Sequence, residues 1–169
     1  MWKGMLIGSG SEGSGTSLAL VDIVLGDQSS AVAGAWTAAL ASPSAGHSPF
    51  LVVAEPGLPV KPFTLFVPKV TSSGFDHEEV TRGAAQAGVA AGVIDALRTG
   101  VIPTDVAQHA LLICSVWVDS AVTAVHADLI YANNRAATVE ALDAAGHEWP
   151  PVERFIETTT RVWNPNYQS

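Results

Sequence analysis

Cysteine is nearly missing from this chain, and charge is sparse. The single cysteine, Cys114, rules out an intrachain disulfide. Its place in the apolar run Leu111-Leu112-Ile113-Cys114-Ser115-Val116 predicts a small buried thiol, because a reactive thiolate wants an accessible, electropositive setting. Charged residues make up only 14% of the 169, lean for a surface that meets water on every side, and this predicts that other copies of the chain cover part of it as a homo-oligomer. Basic residues are scarcest: 8 Lys and Arg stand against 16 Asp and Glu, a net charge of -8. That balance disfavours nucleic-acid backbones and anionic membrane surfaces as partners and favours a small molecule or another protein. No stretch offers the ~20 consecutive apolar residues of a membrane span. The opening Met1-Trp2-Lys3-Gly4-Met5-Leu6-Ile7-Gly8 lacks the apolar core of a secretion signal, so a cytoplasmic protein is expected. His-x-x-x-His, Cys-x-x-Cys and carboxylate triads are also missing, and no metal site is expected.

What is present reads as one domain over residues 1–169, which at this size hides roughly two-thirds of its unfolded surface. Ser9 to Ser17 is a glycine- and serine-rich stretch with the composition of a flexible loop. It precedes a strand and not a helix, which argues against a phosphate-cradling loop. That strand runs from Leu18 to Leu25, with Leu20, Asp22 and Val24 on one face by the two-residue period. Ser29 or Ser30 caps a helix with the stripe Val32, Ala35, Trp36, Ala39 and Leu40, ended by Pro43. Phe50 to Ala54 and Phe63 to Val67 read as a hairpin turning through Pro56, Gly57 and Pro59. Asp76 with Glu79 suggests a capped helix that runs to Arg98 and closes at Gly100, burying Ala84, Val89, Ala90, Val93 and Leu97. A short helix opens at Pro103, a fourth strand spans Leu111 to Val118, and a long helix runs from about Ala121 to Ala145. Residues 149–169 form a tail with no clear element. The expected class is α+β, a mixed four-stranded sheet with helices packed on one face.

Prolines, a histidine and two lysines recur in order through Pro43-Ser44-Ala45-Gly46-His47-Ser48-Pro49, Phe50-Leu51-Val52-Val53-Ala54, Leu58-Pro59-Val60-Lys61-Pro62 and Val67-Pro68-Lys69-Val70-Thr71. This run resembles the signature of the formaldehyde-activating enzyme family, which condenses formaldehyde with tetrahydromethanopterin and releases water. The resemblance implies a hydro-lyase of one-carbon metabolism and methylotrophy, with a ribosomal-protein-S5-domain-2-like fold assembled as a homopentamer. Its substrates would be formaldehyde and the pterin, with tetrahydromethanopterin as co-substrate and no metal. In the family the first strand carries a catalytic histidine ahead of an Ile-Asp-Leu-Ile-Ile-Gly run. Here the corresponding residues are Leu20-Val21-Asp22-Ile23-Val24-Leu25-Gly26, and the histidine position is Leu20.

The positions that match the family's pterin contacts are Asp22, Leu51, Lys69, Thr71 and Gln86, all of the residue type the family uses. Asp22 would accept from ring N–H groups, and Gln86 offers both a donor and an acceptor. Singly, each could be ordinary: Asp22 a solvated strand residue, Lys69 a surface charge, Gln86 a helix-surface amide. Together, in three separate motifs, they read as a retained pocket. His47 reads as a pocket-edge residue that ties its loop to the core, and His77, His109, His126 and His147 as residues of helix surfaces or ends. A Lys69 iminium with formaldehyde would need a desolvated amine or a cationic neighbour, and none is evident. Leucine can neither give nor take a proton, so the catalytic residue is unassigned. Two outcomes are compatible with Leu20: condensation with weakened or altered catalysis, or a non-catalytic protein that binds pterin or formaldehyde as a sensor, carrier or subunit partner.

Overall fold

A computed structural model describes residues 4–157. Residues 1–3 and 158–169, which include the first residues of the opening segment and most of the tail, lie outside the described residues.

The elements follow as β1 Met5–Glu12, β2 Ala19–Asp27, α1 Ala31–Ala41, β3 Phe50–Leu51, β4 Val53–Glu55, β5 Leu58–Pro59, β6 Phe63–Pro68, α2 Phe75–Val80, α3 Gln86–Thr99, α4 Thr104–His109, β7 Ala110–Trp117, α5 Ala127–Gly146 and α6 Val152–Glu157. Five strands form one mixed sheet in the order β1-β2-β7-β6-β3, and β4 with β5 makes a separate two-stranded ribbon. All neighbours in the large sheet are antiparallel except β6 and β7. The class is therefore the expected α+β with a mixed sheet, carrying one strand more than expected. The extra strand is β1, whose second half, Ser9–Glu12, falls in the stretch read as a loop. Irregular chain is confined to Gly13 and the residues up to a short 3₁₀ turn at Gly15–Ser17.

The reason β1 was hidden lies in its side facing α5. Ideal side chains at Gly8 and Gly10 would put a Cβ 2.0 Å from the Ala141 carbonyl oxygen and 2.2 Å from that of Ala137. Even one methyl group would collide with helix backbone, so two of the inward positions carry glycine and only Leu6 is left on that side to betray the strand. Helix α3 approaches α5 in the same way: a Cβ at Gly88 would lie 2.4 Å from the Tyr131 carbonyl oxygen, and one at Gly92 would lie 2.7 Å from that of Arg135. Between these layers lies the core, with Val21, Ile23, Val89, Val93, Ile130 and Ala137 all fully buried.

The outer face of the sheet carries the alternate residues Leu20, Asp22, Val24 and Gly26 of β2. Helix α1 crosses its Gly26 end, where Val32 sits against the glycine. Ser30 caps α1 by accepting from the Val32 N–H at 3.3 Å, as its sequence suggests. The expected single helix over 76–98 is instead two: α2 and α3 are joined by a wider, π-helical turn at Thr81–Ala85. Gly100 closes α3 in the left-handed conformation at φ 80°. Pro103 caps α4, and α5 begins after a 3₁₀ turn at Ala124–His126. Cys114 is fully buried, and desolvation pushes its thiol far above the ordinary range.

Replacing Gly10 by alanine drives a methyl group into the α5 backbone, which cannot swing aside, and is expected to destabilise the fold by about 1–3 kcal/mol. Gly34, in the α1 interior with nothing within 4 Å of its Cβ position, is the control: Gly34→Ala is expected to stabilise by roughly 0.5–1 kcal/mol. Urea denaturation of both variants checks the pair, and equal effects would mean that the glycine contact does not govern packing.

Candidate functional site

Sheet register brings the first two polar residues together. Ser9 of β1 lies directly across from Asp22 of β2, and Asp22 lies across from Ser115 of β7. The Ser9 hydroxyl donates to Asp22 Oδ1 at 2.6 Å, and the Lys69 ammonium donates to Oδ2 of the same carboxylate. Lys69 reaches it because β6 runs parallel beside β7, and the Lys69 N–H, just past the strand, still donates to the Val116 carbonyl at 2.8 Å. Partial burial pushes the Asp22 carboxyl upward, but the bonds from Lys69 and Ser9 outweigh it and hold the group below its ordinary value of 3.8. Asp22 is therefore a carboxylate at neutral pH, half-exposed and aimed outward, able to accept from a ligand N–H.

Thr71 and His47 form the adjoining group. The Pro68 carbonyl can only accept, so His47 Nδ1 carries the proton in the 3.1 Å bond between them. With Nδ1 protonated in the neutral ring, Nε2 accepts, and the Thr71 hydroxyl donates to it at 2.9 Å. Gly46, in the left-handed conformation at φ 76°, makes the turn that seats the imidazole there, and its carbonyl accepts from Ser72 at 3.3 Å. His47 thus ties its loop to the end of β6.

The remaining two expected contacts lie at the far edge of the sheet. Leu51 is on edge strand β3, 36% exposed, while its neighbour Phe50 turns inward and stacks on Phe66 at 4.8 Å between ring centroids. Gln86 starts α3, and its Oε1 accepts from the Val53 N–H at 2.6 Å. One lone pair of that oxygen is therefore used by β4, and Gln86 has its amide NH₂ and the second lone pair of Oε1 left to offer. No hydrogen bond or ion pair among the described residues links this pair to Asp22 and Lys69.

Other expectations are corrected or refined. His77 is buried and not on a helix surface: its Nδ1 accepts from the Ser73 N–H at 3.2 Å, and its Nε2 donates to the Val118 carbonyl at 3.2 Å. Both nitrogens are consumed by backbone. His126 folds back on Thr123, and His147 donates to the Asp143 carbonyl at the end of α5. Lys69 keeps 28% side-chain exposure and has Asp22 as its partner, while Lys61 lies over the Phe63 ring at 3.8 Å. This is not the dry, cation-flanked setting that an amine nucleophile needs. Leu20 pairs with Trp117 on the outer face, two residues along from Asp22.

Two features escaped the sequence reading. Ser9 was concealed by its glycine neighbours. A cavity of about 230 Å³ lies between the His47 loop and α2, lined among others by Phe50, Ser72, Glu78, Thr81 and Arg82. Arg82 pairs with Glu78 and stands 4.7 Å above the Phe50 ring, and the buried Thr81 hydroxyl has no partner among the described residues. Among the described residues no three His, Cys, Asp or Glu side chains gather as a metal site, and no helix is long and apolar enough to cross a membrane.

The family model for formaldehyde-activating enzyme matches residues 7–167. The chain belongs to this family. The match runs past the resembling motifs into the carboxy-terminal tail. A "5,6,7,8-tetrahydromethanopterin hydro-lyase" of Methanosarcina barkeri is 36% identical over 89% of this chain and 84% of its own length. "Bifunctional enzyme Fae/Hps" of Methanococcoides burtonii is 39% identical over 94% of the chain, and that of Methanosarcina acetivorans 35% over 95%. Of these two bifunctional relatives the alignments cover only 39% and 44%, so this formaldehyde-activating enzyme homologue spans about two-fifths of their length.

Lys69→Met removes the ammonium from Asp22, and the Asp22 carboxyl is expected to titrate at higher pH than in the parent, as read by carboxyl-carbon NMR. The depressed carboxyl contributes stability above its unfolded pKa and loses it as pH falls through the folded value. The stability gap between parent and variant is thus expected to hold near neutrality and to shrink below about pH 4. A gap that widened in acid would show that the pair does not set the Asp22 pKa.

Proposed function

We propose that this chain condenses formaldehyde with tetrahydromethanopterin to methylene-tetrahydromethanopterin and water, with catalysis altered by leucine at position 20. The observation that carries the reading is the Asp22 carboxylate, presented on the outer sheet face between Ser9 and Lys69. It is a polar anchor for ring N–H groups, set in the family's own motif. Lys69, Thr71, Leu51 and the Gln86 amide complete the proposed pterin contacts. The name of the Methanosarcina barkeri hydro-lyase supports the same substrate class. Formaldehyde adds to amines without help, so a pocket that orients both reactants accelerates the step by proximity even where one acid is missing.

The reading takes the protein as a cytoplasmic lyase with a ribosomal-protein-S5-domain-2-like fold, assembled as a homo-oligomer and by resemblance a pentamer. Support for assembly comes from the low charge content and from Met5 and Ile7, 53% and 59% exposed on the outer face of β1. Leu20 favours a second reading, a non-catalytic binder of pterin or formaldehyde that acts as sensor, carrier or subunit partner of an active enzyme.

The deciding measurement is methylene-tetrahydromethanopterin formation at low concentrations of both reactants, with and without protein, beside calorimetric titration of the pterin. Acceleration is expected, and Leu20→His is expected to raise it by about 10²- to 10⁴-fold. Pterin binding without acceleration would establish the second reading, and neither would refute both. For assembly, light scattering of the parent is expected to give a multiple of 17.5 kDa, with Ile7→Asp shifting it toward the single chain.

A further inference from the structure

Condensation requires protons to move. The methylene carbon gains two bonds to pterin nitrogens, each nitrogen gives up one proton, and the formaldehyde oxygen leaves with both as water. Some group must hold each proton between donor nitrogen and departing oxygen. Imidazole suits this task near neutral pH. Among the described residues, His77 has both nitrogens bound to backbone in the interior, and His126 and His147 cap helix ends. His109 closes α4 at the opposite end of β7, where the strand begins.

His47 differs, because its hydrogen bonds define a direction. Nδ1–H is fixed on the Pro68 carbonyl, so Nε2 is the nitrogen left to take a proton, and its partner is the Thr71 hydroxyl at 2.9 Å. Pro68 is the residue before Lys69, whose ammonium holds Asp22. Thr71 is exposed, while His47 is half-buried behind it. The hydroxyl is therefore the group of this pair more open to a ligand.

We propose that Thr71 and His47 form a proton relay, with Thr71 as the catalytic hydroxyl and His47 as a positioning residue that stores the proton behind it. When a pterin N–H gives up its proton, Thr71 Oγ1 accepts it and passes its own to His47 Nε2. The imidazolium then donates back through Nε2–H, turning the Thr71 O–H toward the oxygen that leaves. Each of the two protons makes this passage, water carries both away, and His47 ends neutral as it began. The relay rests on the condensation reading and gives Thr71 a role beyond contacting the pterin.

His47→Gln tests it, since an amide can donate to the Pro68 carbonyl and accept from Thr71 but cannot store a proton. The expected result is a fall of roughly 10²-fold or more in the protein-dependent rate, with pterin Kd and melting temperature close to the parent. Thr71→Val is expected to lose as much, Thr71→Ser to stay near the parent, and the His47→Gln/Thr71→Val double variant to fall no further than either single one. Parental turnover in His47→Gln would overturn the relay and leave His47 as a loop anchor. If that variant fails to fold, parental turnover in Thr71→Val, whose Pro68 anchor is intact, overturns it equally. No protein-dependent rate in the parent chain would defeat the condensation reading itself, a separate outcome in which the relay falls too.

Discussion

Helix α5 meets its neighbours backbone to backbone, and the arrangement of the other layers depends on that approach. Gly8 and Gly10 on one side, Gly88 and Gly92 on the other, leave room for helix carbonyls where a side chain would stand. Interiors at crystal-like density do not yield a Cβ's width without moving a whole element. With α5 drawn in, the small residues Ala137, Ala141 and Ala145 of its inner stripe become fully or nearly fully buried, and the sheet presents its other face outward. The approach also ties strand to helix by polar contacts: Glu140 Oε2 accepts from the Ser11 N–H at 2.7 Å, and Asn133 donates to the Ser17 carbonyl at 2.7 Å.

The same constraint shapes the polar face. A strand alternates sides, so a segment whose even positions must be glycine still has odd positions to use. Ser9, between the two glycines, points away from α5 and reaches Asp22. Packing and site therefore share three consecutive residues. A comparable coupling holds at Thr81–Ala85, where the wider turn separates α2 from α3. π-Helical turns are rare, occur mostly as single-turn bulges inside α-helices and are frequent at functional sites. Here the Thr81 hydroxyl is buried without a partner among the described residues, and Gln86 follows the turn to meet Val53 of β4.

Legibility in the sequence followed the physical signal. Where apolar and β-branched residues alternate, as in β2, β6 and β7, the strands were readable to within two or three residues, and Ser30 and Gly100 marked helix ends by their capping chemistry. Where glycine replaced the inward apolar residue, in β1, the two-residue period had little to show. The turn at Thr81–Ala85 left no mark either, since every residue across it is compatible with a continuous helix. Of the candidate site, Asp22, Lys69 and Thr71 could be located by motif, yet their partners could not. That His47 bonds Thr71 across 24 positions, and Ser9 bonds Asp22 across 13, are consequences of register and loop closure, which a linear pattern does not contain.

The contact between β1 and α5 joins residues near opposite ends of the chain, and this has a cost in time during synthesis. At 5–20 residues per second, on the order of 10 s separates the emergence of Gly10 from that of Ala141. Throughout that interval the β1–β2 hairpin stands on the ribosome with its helix-facing side uncovered. An ordinary strand would expose a row of leucines or valines to passing chains for the whole wait. That side already carries Leu6, Val21, Ile23 and Leu25, and glycines at positions 8 and 10 keep the β1 half from widening the patch, so the residues that admit the helix at the end also limit what the waiting hairpin exposes.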